Sequence, residues 1–212
     1  KEESLITHIA HTINASEVPY IPEPDGTTKT DAYFISVKTV QEASEMIEKL
    51  VVDSIPKNFS FSGTDIMVLS PMNQGDLGIQ ALNRRLQDRL VPKIPGTVSV
   101  STSQVEFRLG DRVIQRVNNY SITSAGVFNG DQGEIIAIDS EQKKITVRMW
   151  DGREVSYDSD AINQLDLAYA LTIHRSQGAE VPVVVLALHE SHMILLEKQL
   201  LYTGVTRAKK LL

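Results

Sequence analysis

Residues 181–188, Val-Pro-Val-Val-Val-Leu-Ala-Leu, are apolar at every position. The run is far below the roughly 20 residues that cross a bilayer, and it lacks the alternation of a strand with one wet face. It therefore reads as a buried strand. Upstream, AYFISV (32–37) and DIMVLS (65–70) also read as strands, the second closed by Pro71. Thr39-Val40-Gln41-Glu42 has the spacing of a capping box, and Val40, Ala43, Ile47 and Leu50 follow on one helical face. LGIQALNRRLQDRL (77–90) predicts another helix, with Ile79, Leu82, Leu86 and Leu90 inward and Arg84, Arg85 and Arg89 outward. Strand–helix–strand–helix order predicts a parallel α/β sheet. SLITHIAHTINA (4–15) and ILLEKQLLYTGVT (194–206) predict the first and last helices.

Between 104 and 157 the texture changes. VEFRL, RVIQRV, GEIIAID, KITVRMW and REVSYD are short and separated by Leu-Gly-Asp, Asn-Gly-Asp and Asp-Gly turns, with no helical period. The pattern predicts a small antiparallel barrel inserted at 104–157 into an α/β unit made of 1–103 and 158–212. Beyond it, LDLAYALTIH returns to buried-strand texture. Tyr120, Phe128 and Trp150 are of a kind that stacks on bases, but small barrels usually bury their aromatics, so core packing is the expectation for all three.

The chain has no Cys, which excludes disulfides and thiolate metal sites and favours an intracellular setting. A net charge of −6 argues against a simple basic nucleic-acid binder. The excess sits in residues 1–66, with 5 Lys/Arg against 11 Asp/Glu, while the remainder carries 16 against 16. A local phosphate-binding track in that remainder is compatible with the total. Gly26-Thr27-Thr28-Lys29-Thr30 lies in a Pro/Gly-rich loop without the preceding strand or the G-x-x-x-x-G-K-[ST] spacing, so it is not a phosphate loop. His189-Glu190-Ser191-His192 has only two residues between its histidines and no third ligand, and no metal site is assigned.

Two polar clusters carry the chemistry. Thr172-Ile173-His174-Arg175-Ser176-Gln177-Gly178 leaves a strand-like segment, where a parallel sheet places its ligand loops. Its hydroxyls, imidazole and amides suit phosphate oxygens, Gly178 permits close backbone approach, and Glu180 suits ribose hydroxyls. Taken alone, the loop reads more simply as a polar turn. LLYTGVTRAKK (200–210) ends a helix with Arg207, whose guanidinium suits charge on a transferring phosphoryl group or simply the helix dipole.

Together the clusters resemble motifs V and VI of superfamily 1 DNA helicases of the RecD-like (RecD and TraA) group. LSPMNQGDLGIQALNRRLQ, FRLGDRVIQRVNNY with VFNGDQGEIIAID, and SLITHIAHTINASEVP resemble further signatures of that group, so the resemblance covers nearly the whole chain. It implies a RecA-like parallel-sheet motor domain, without the phosphate loop, carrying an inserted SH3-like barrel. It also implies a fragment that starts after motif IV and stops before the strand expected to follow motif VI. The parent is then an ATP-dependent 5′-to-3′ DNA helicase, using ATP with Mg²⁺ and cytoplasmic in a bacterial-type cell; the fragment alone is expected to lack ATPase.

Carried over by resemblance, Arg207 is the arginine finger, and Gln177, Gly178 and Glu180 line the nucleotide. Thr172, His174, Ser70, Pro71, Met72 and Gly75 contact single-stranded DNA, with Asn83 and Gln87 weaker candidates. Ser70, Pro71, Met72 and Gly75 are joined there by the free amides at the start of the next helix. In the barrel, Arg112, Arg116 and Asn118 either track phosphates or are a solvated face. His174 and Arg207 are expected on one strand-edge rim. Implied partners are single-stranded DNA, an N-terminal motor domain of the same polypeptide, and recombination or repair subunits. A non-catalytic binding module and an RNA motor remain alternatives.

Overall fold

The computed structural model describes residues 4–190 and 197–212. It divides into two compact units, one built from the residues up to Arg85 together with Ala170–Leu212, the other from Leu86–Tyr169. Four parallel strands form the sheet of the first unit: β1 (Ile66–Ser70), β9 (Ala170–Thr172), β10 (Val181–Leu186) and β11 (Ala208–Leu211), in the order β11-β10-β1-β9. Mid-sheet position buries β1 along its whole length, as its continuous apolar sequence requires. Around the sheet lie α1 (Leu5–Asn14), α2 (Val40–Lys49), α4 (Ile79–Leu90) and α5 (Lys198–Val205).

Local chemistry sets the helix ends. Ser4 caps α1, and the Asp31 carboxylate accepts the Leu5 and Ile6 amides at 2.9 and 3.3 Å. Lys198 Nζ closes the other end by donating to the Asn14 carbonyl at 3.0 Å. At α2, Thr39 Oγ1 accepts the Glu42 amide, but the Glu42 carboxylate returns to the Lys38 amide instead of the Thr39 amide of a standard box. The chain then continues beyond the predicted end through a π turn (Leu50–Ser54) into α3 (Ile55–Phe59). Pro56 lies in the first turn of α3, directly after the π turn.

Three expectations are corrected. Residues 32–37 form no regular strand; among the described residues, Tyr33 N–H donates to the Leu212 carbonyl and Leu212 N–H to the Asp31 carbonyl, tying this segment to residue 212. The strand expected beyond the chain is present as β11, paired in parallel with β10. The run LDLAYALTIH is split between two sheets, with Leu165–Leu167 in the second unit and Ala170–Thr172 in the first. Ser191, His192 and Ile194–Leu196 lie outside the described residues.

The second unit holds β2 (Ser99–Ser101) and β3 (Glu106–Arg108) as a two-stranded antiparallel pair. It also holds a five-stranded antiparallel sheet, β7-β6-β5-β4-β8, from β4 (Arg112–Gln115), β5 (Gln132–Asp139), β6 (Lys144–Met149), β7 (Glu154–Tyr157) and β8 (Leu165–Leu167). The turn-rich stretch 104–157 lies inside this unit. Alternation buries Ile135, Ile145, Val147, Val155 and Tyr157, with Phe107 beside them in the core. Tyr120, Phe128 and Trp150 are not core residues: they are 72%, 42% and 50% exposed. The core of this unit is filled by aliphatic side chains together with Phe107 and Tyr157.

Asp111 is fully buried and accepts three hydrogen bonds, from Tyr169 Oη at 2.7 Å, Gln87 Nε2 at 2.6 Å and the Arg108 amide at 2.6 Å. Burial raises its carboxyl pKa despite these donors, and the same burial, with the Asp111 charge, pushes the Tyr169 phenol far above its ordinary value. The folded chain thus holds the Asp111 proton more tightly than the unfolded chain, where the value is 3.8. Folding binds protons at this site, so its contribution to stability grows as pH falls from the raised folded value towards 3.8 and is lost on the way back up. Asn at 111 keeps the shape without the titration. Urea melts near neutrality and at about pH 4 are expected to show wild type gaining stability relative to Asp111→Asn at the lower pH. An unchanged difference between the two proteins would remove the pH assignment.

Candidate functional site

In a parallel sheet, the chain leaving the carboxyl end of one strand must return to the amino end of the next. Residues 173–180 make that return from β9 to β10, with one 3₁₀ turn at His174–Ser176. His174 therefore stands at the carboxyl rim and is exposed. Gln177 and Gly178 are exposed along the return, and Ala179 and Glu180 reach the amino rim. Helix α5 delivers Arg207 just before the amino end of β11. The expectation that His174 and Arg207 share one rim is thus wrong: they leave opposite ends of the strands. The carboxyl-end rule governs strand-to-loop exits, whereas Arg207 lies on a helix-to-strand entry.

At the amino rim the Arg207 guanidinium is held by three acceptors. Nε donates to the Thr203 carbonyl at 3.1 Å, Nη1 to the Ala179 carbonyl at 3.1 Å, and Nη2 to Thr206 Oγ1 at 3.2 Å. The Val181 amide donates to the Arg207 carbonyl at 3.0 Å, tying the start of β10 to the same residue. Glu180 pairs with Lys209 at 2.6 Å, and this ammonium holds the carboxyl below its ordinary range. Both partners are 55% exposed, so the pair itself adds little stability. Sequence reasoning missed Thr203, Ala179 and Lys209. Only the four-residue spacing of Thr203 and Arg207 on one helix turn was a legible signal.

The carboxyl rim differs from the expected donor set. Ser70 is fully buried, and its hydroxyl donates to the Leu77 carbonyl at 2.6 Å while accepting the Met72 amide. Thr172 is buried, and its Oγ1 accepts the Arg175 amide at 3.3 Å. Both hydroxyls shape their own loops instead of facing a ligand. The Ile79 and Gln80 amides at the start of α4 donate to the Met72 and Asn73 carbonyls, so the helix end does not offer those amides. Pro71 and Met72 are half-buried, and the surface the loop does present is Asn73–Asp76. Gly75 sits at its tip with φ +86°, a conformation that disfavours any side chain.

Asn83 and Gln87 are structural. Asn83 Nδ2 donates to the Ala170 carbonyl at 2.9 Å and its Oδ1 accepts the Ala170 amide at 2.8 Å, closing the free edge of β9 as another strand would. Gln87 is buried against the Glu106 carbonyl and Asp111. In the second unit Arg112 is 4% exposed, with its guanidinium 6.0 Å from the Trp150 ring centroid. Arg116 faces Asp166 at 3.6 Å, and Asn118 Oδ1 accepts the Asn129 amide at 2.9 Å. Of the three, Arg112 is buried, Arg116 half-buried and Asn118 exposed. In the Gly26 loop, the Asp25 carboxylate accepts the Thr27 and Thr28 amides, occupying the donors that a phosphate would need. Among the described residues, no helix is long and apolar enough to cross a membrane.

Comparison with known proteins agrees with this architecture. Residues 82–149 match the model of the ATP-dependent RecD-like DNA helicase SH3 domain, and residues 167–212 match the UvrD-like helicase C-terminal domain. The fold is a helicase one: a RecA-like parallel sheet with an SH3-like domain. A crystal structure of Bacteroides Pif1 bound to single-stranded DNA superposes with a TM-score of 0.58 at 18% identity, over 99% of this chain and 48% of that one. The ATP-dependent RecD2 DNA helicase of Deinococcus radiodurans is 39% identical over 144 residues, which is 68% of this chain and 19% of the relative. The RecBCD enzyme subunit RecD of Mycobacterium tuberculosis is 27% identical over 143 residues, 68% of this chain and 23% of the relative. The chain belongs to the RecD-like DNA helicases and corresponds to their C-terminal region. It spans about a fifth to a quarter of the length of these curated relatives.

Proposed function

We propose that this chain is the second motor domain of an ATP-dependent, 5′-to-3′ DNA translocase, with Arg207 as the arginine that reaches the γ-phosphate. The observation that carries the reading is the arrangement of Arg207. Three acceptors fix its guanidinium at the amino rim, and fixing removes the rotamer entropy that a charge-stabilising group would otherwise lose at the moment of reaction. Gln177, Gly178 and Glu180 lie on the same return segment and line the nucleotide. His174 and the Asn73–Asp76 tip at the other rim touch the DNA backbone, with Pro71 and Met72 beneath that tip. Segment 173–180 joins the two rims, so movement on hydrolysis at Arg207 reaches the grip on the strand.

The sequence contains no G-x-x-x-x-G-K-[ST] loop, so the phosphate cradle and the Mg²⁺ ligands are assigned to another domain of a longer polypeptide. ATP with Mg²⁺ supplies the phosphoryl group and neutralises its charge when bound; the residues here position one side of it. The working partners in this reading are single-stranded DNA, that first motor domain and recombination or repair subunits, in a bacterial-type cytoplasm.

Streptavidin displacement from end-biotinylated oligonucleotides tests the reading on the longer protein. ATP-dependent displacement from the 3′ end is the expected result. Displacement only from the 5′ end reverses the direction, and none at all removes the motor. The 212-residue chain alone is expected to release no phosphate from ATP; release that tracks the folded protein would contradict the division of labour.

A further inference from the structure

Thr206 closes α5 one residue before Arg207, and its hydroxyl has a single proton to give. That proton faces two carbonyls of the preceding turn, Tyr202 at 2.9 Å and Thr203 at 3.1 Å. With the proton committed to the helix, the lone pairs of Oγ1 can only accept. They accept the Nη2 N–H of Arg207 at 3.2 Å. The branched side chain helps to keep the hydroxyl in place, because threonine at a helical position has few χ1 choices and one of them meets the carbonyl four residues back.

The other two anchors of the guanidinium are backbone. Nε donates to the Thr203 carbonyl and Nη1 to the Ala179 carbonyl, both at 3.1 Å. Two contacts define a line about which a planar group can still swing, and a third contact off that line fixes the plane. Thr206 supplies the third. It holds the Nη2 corner, and the second N–H of that same nitrogen is one of the two donors that no group among the described residues accepts. The hydroxyl therefore sets the direction in which that N–H points.

We propose that Thr206 is a positioning residue for phosphoryl transfer: it aims the Arg207 guanidinium and governs the chemical step without touching the nucleotide. The inference rests on the reading of Arg207 as the arginine that reaches the γ-phosphate, and adds to it the side chain that sets the plane of the group.

The test measures kcat and KM for ATP in the longer helicase at saturating single-stranded DNA. Wild type is compared with Thr206→Val, Thr206→Ala, Thr206→Ser and Arg207→Ala. Valine keeps the shape of threonine without the hydroxyl, alanine removes the hydroxyl without leaving a methyl against Nη2, and serine keeps the hydroxyl. Thr206→Val and Thr206→Ala are each expected to lose about ten-fold in kcat, within the roughly 10²-fold that a displacement of about 1 Å can cost a reacting site. KM for ATP is expected to stay unchanged, because the aimed N–H meets charge that develops only in the transition state. Thr206→Ser is expected to recover most of the loss. A hydroxyl that merely closed the end of α5 would shift the circular dichroism melt and leave kcat of the folded enzyme alone. Wild-type kcat in both hydroxyl-free variants, with Arg207→Ala inactive, overturns the positioning role and leaves the motor reading standing. An equal loss in Thr206→Ser, or a rise in KM with kcat unchanged, overturns it too. Full turnover in Arg207→Ala overturns the motor reading itself, and this inference with it.

Discussion

Arg207→Ala in the longer helicase is expected to lower DNA-stimulated ATP turnover by about 10³-fold or more, with binding of single-stranded DNA largely retained. That loss corresponds to about 4 kcal/mol of transition-state stabilisation. The geometry gives the reason. The guanidinium has five N–H donors, and three are spent on Thr203, Ala179 and Thr206, which leaves two on a rigidly held group to meet developing negative charge. Alanine removes both the charge and the link to the Ala179 carbonyl, whereas the DNA-facing candidates lie at the opposite rim. Lysine keeps the charge but cannot reproduce the three-acceptor anchorage, so Arg207→Lys should fall nearly as far. Stopped-flow phosphate release at saturating DNA is the measurement. Turnover within a few fold of wild type in Arg207→Ala would overturn the assignment.

Gly133→Ala is expected to destabilise the second unit by about 3 kcal/mol, the upper end of the range for overpacking a filled interior. Gly133 is buried in β5 opposite Met149. A Cβ there would stand 2.4 Å from the Arg148 carbonyl oxygen and 2.7 Å from Val147 Cγ1. The nearest clash is with backbone of the paired strand, which cannot swing away as a long side chain would. Relief requires opening the β5–β6 pairing beside the register shift between Ile135 and Ala137. A urea melt followed by Trp150 emission and by circular dichroism measures the loss. A midpoint equal to wild type would mean that the strands breathe apart at this point without cost.

Much of the architecture was readable from residue order. The continuous apolar runs at 66–70 and 181–186 became adjacent parallel strands; the first is buried along its whole length, and Val183 and Val184 are buried in the second. The Leu-Gly-Asp, Asn-Gly-Asp and Asp-Gly turns separated the strands of the second unit where they occur, because those residues favour turn geometry locally. Residues 165–172 were read as one strand, and nothing local reveals that the run divides between two sheets. Residues 32–37 have strand composition but lack a ladder to join.

Residue order offered candidates for a site, not the partners those candidates would have. Ser70, Thr172 and Asn83 have the chemistry of ligand contacts, and each spends it on the chain's own backbone. Sequence names a donor without naming its acceptor, and burial at these positions makes an internal acceptor obligatory. The exposure of Tyr120, Phe128 and Trp150 was misjudged for a related reason: ring size argues for burial, but the core is filled by other residues, Phe107 and Tyr157 among them.

Residue order by itself determined the parallel layer, the turn-rich antiparallel unit and the family, since these depend on periodicity and on short motifs read in series. Only the tertiary structure decided that His174 and Arg207 occupy opposite ends of the strands and that the Arg207 guanidinium is braced by the Ala179 carbonyl. Rim and partner are properties of strand direction and of packing between segments far apart in the chain, which no local spacing encodes.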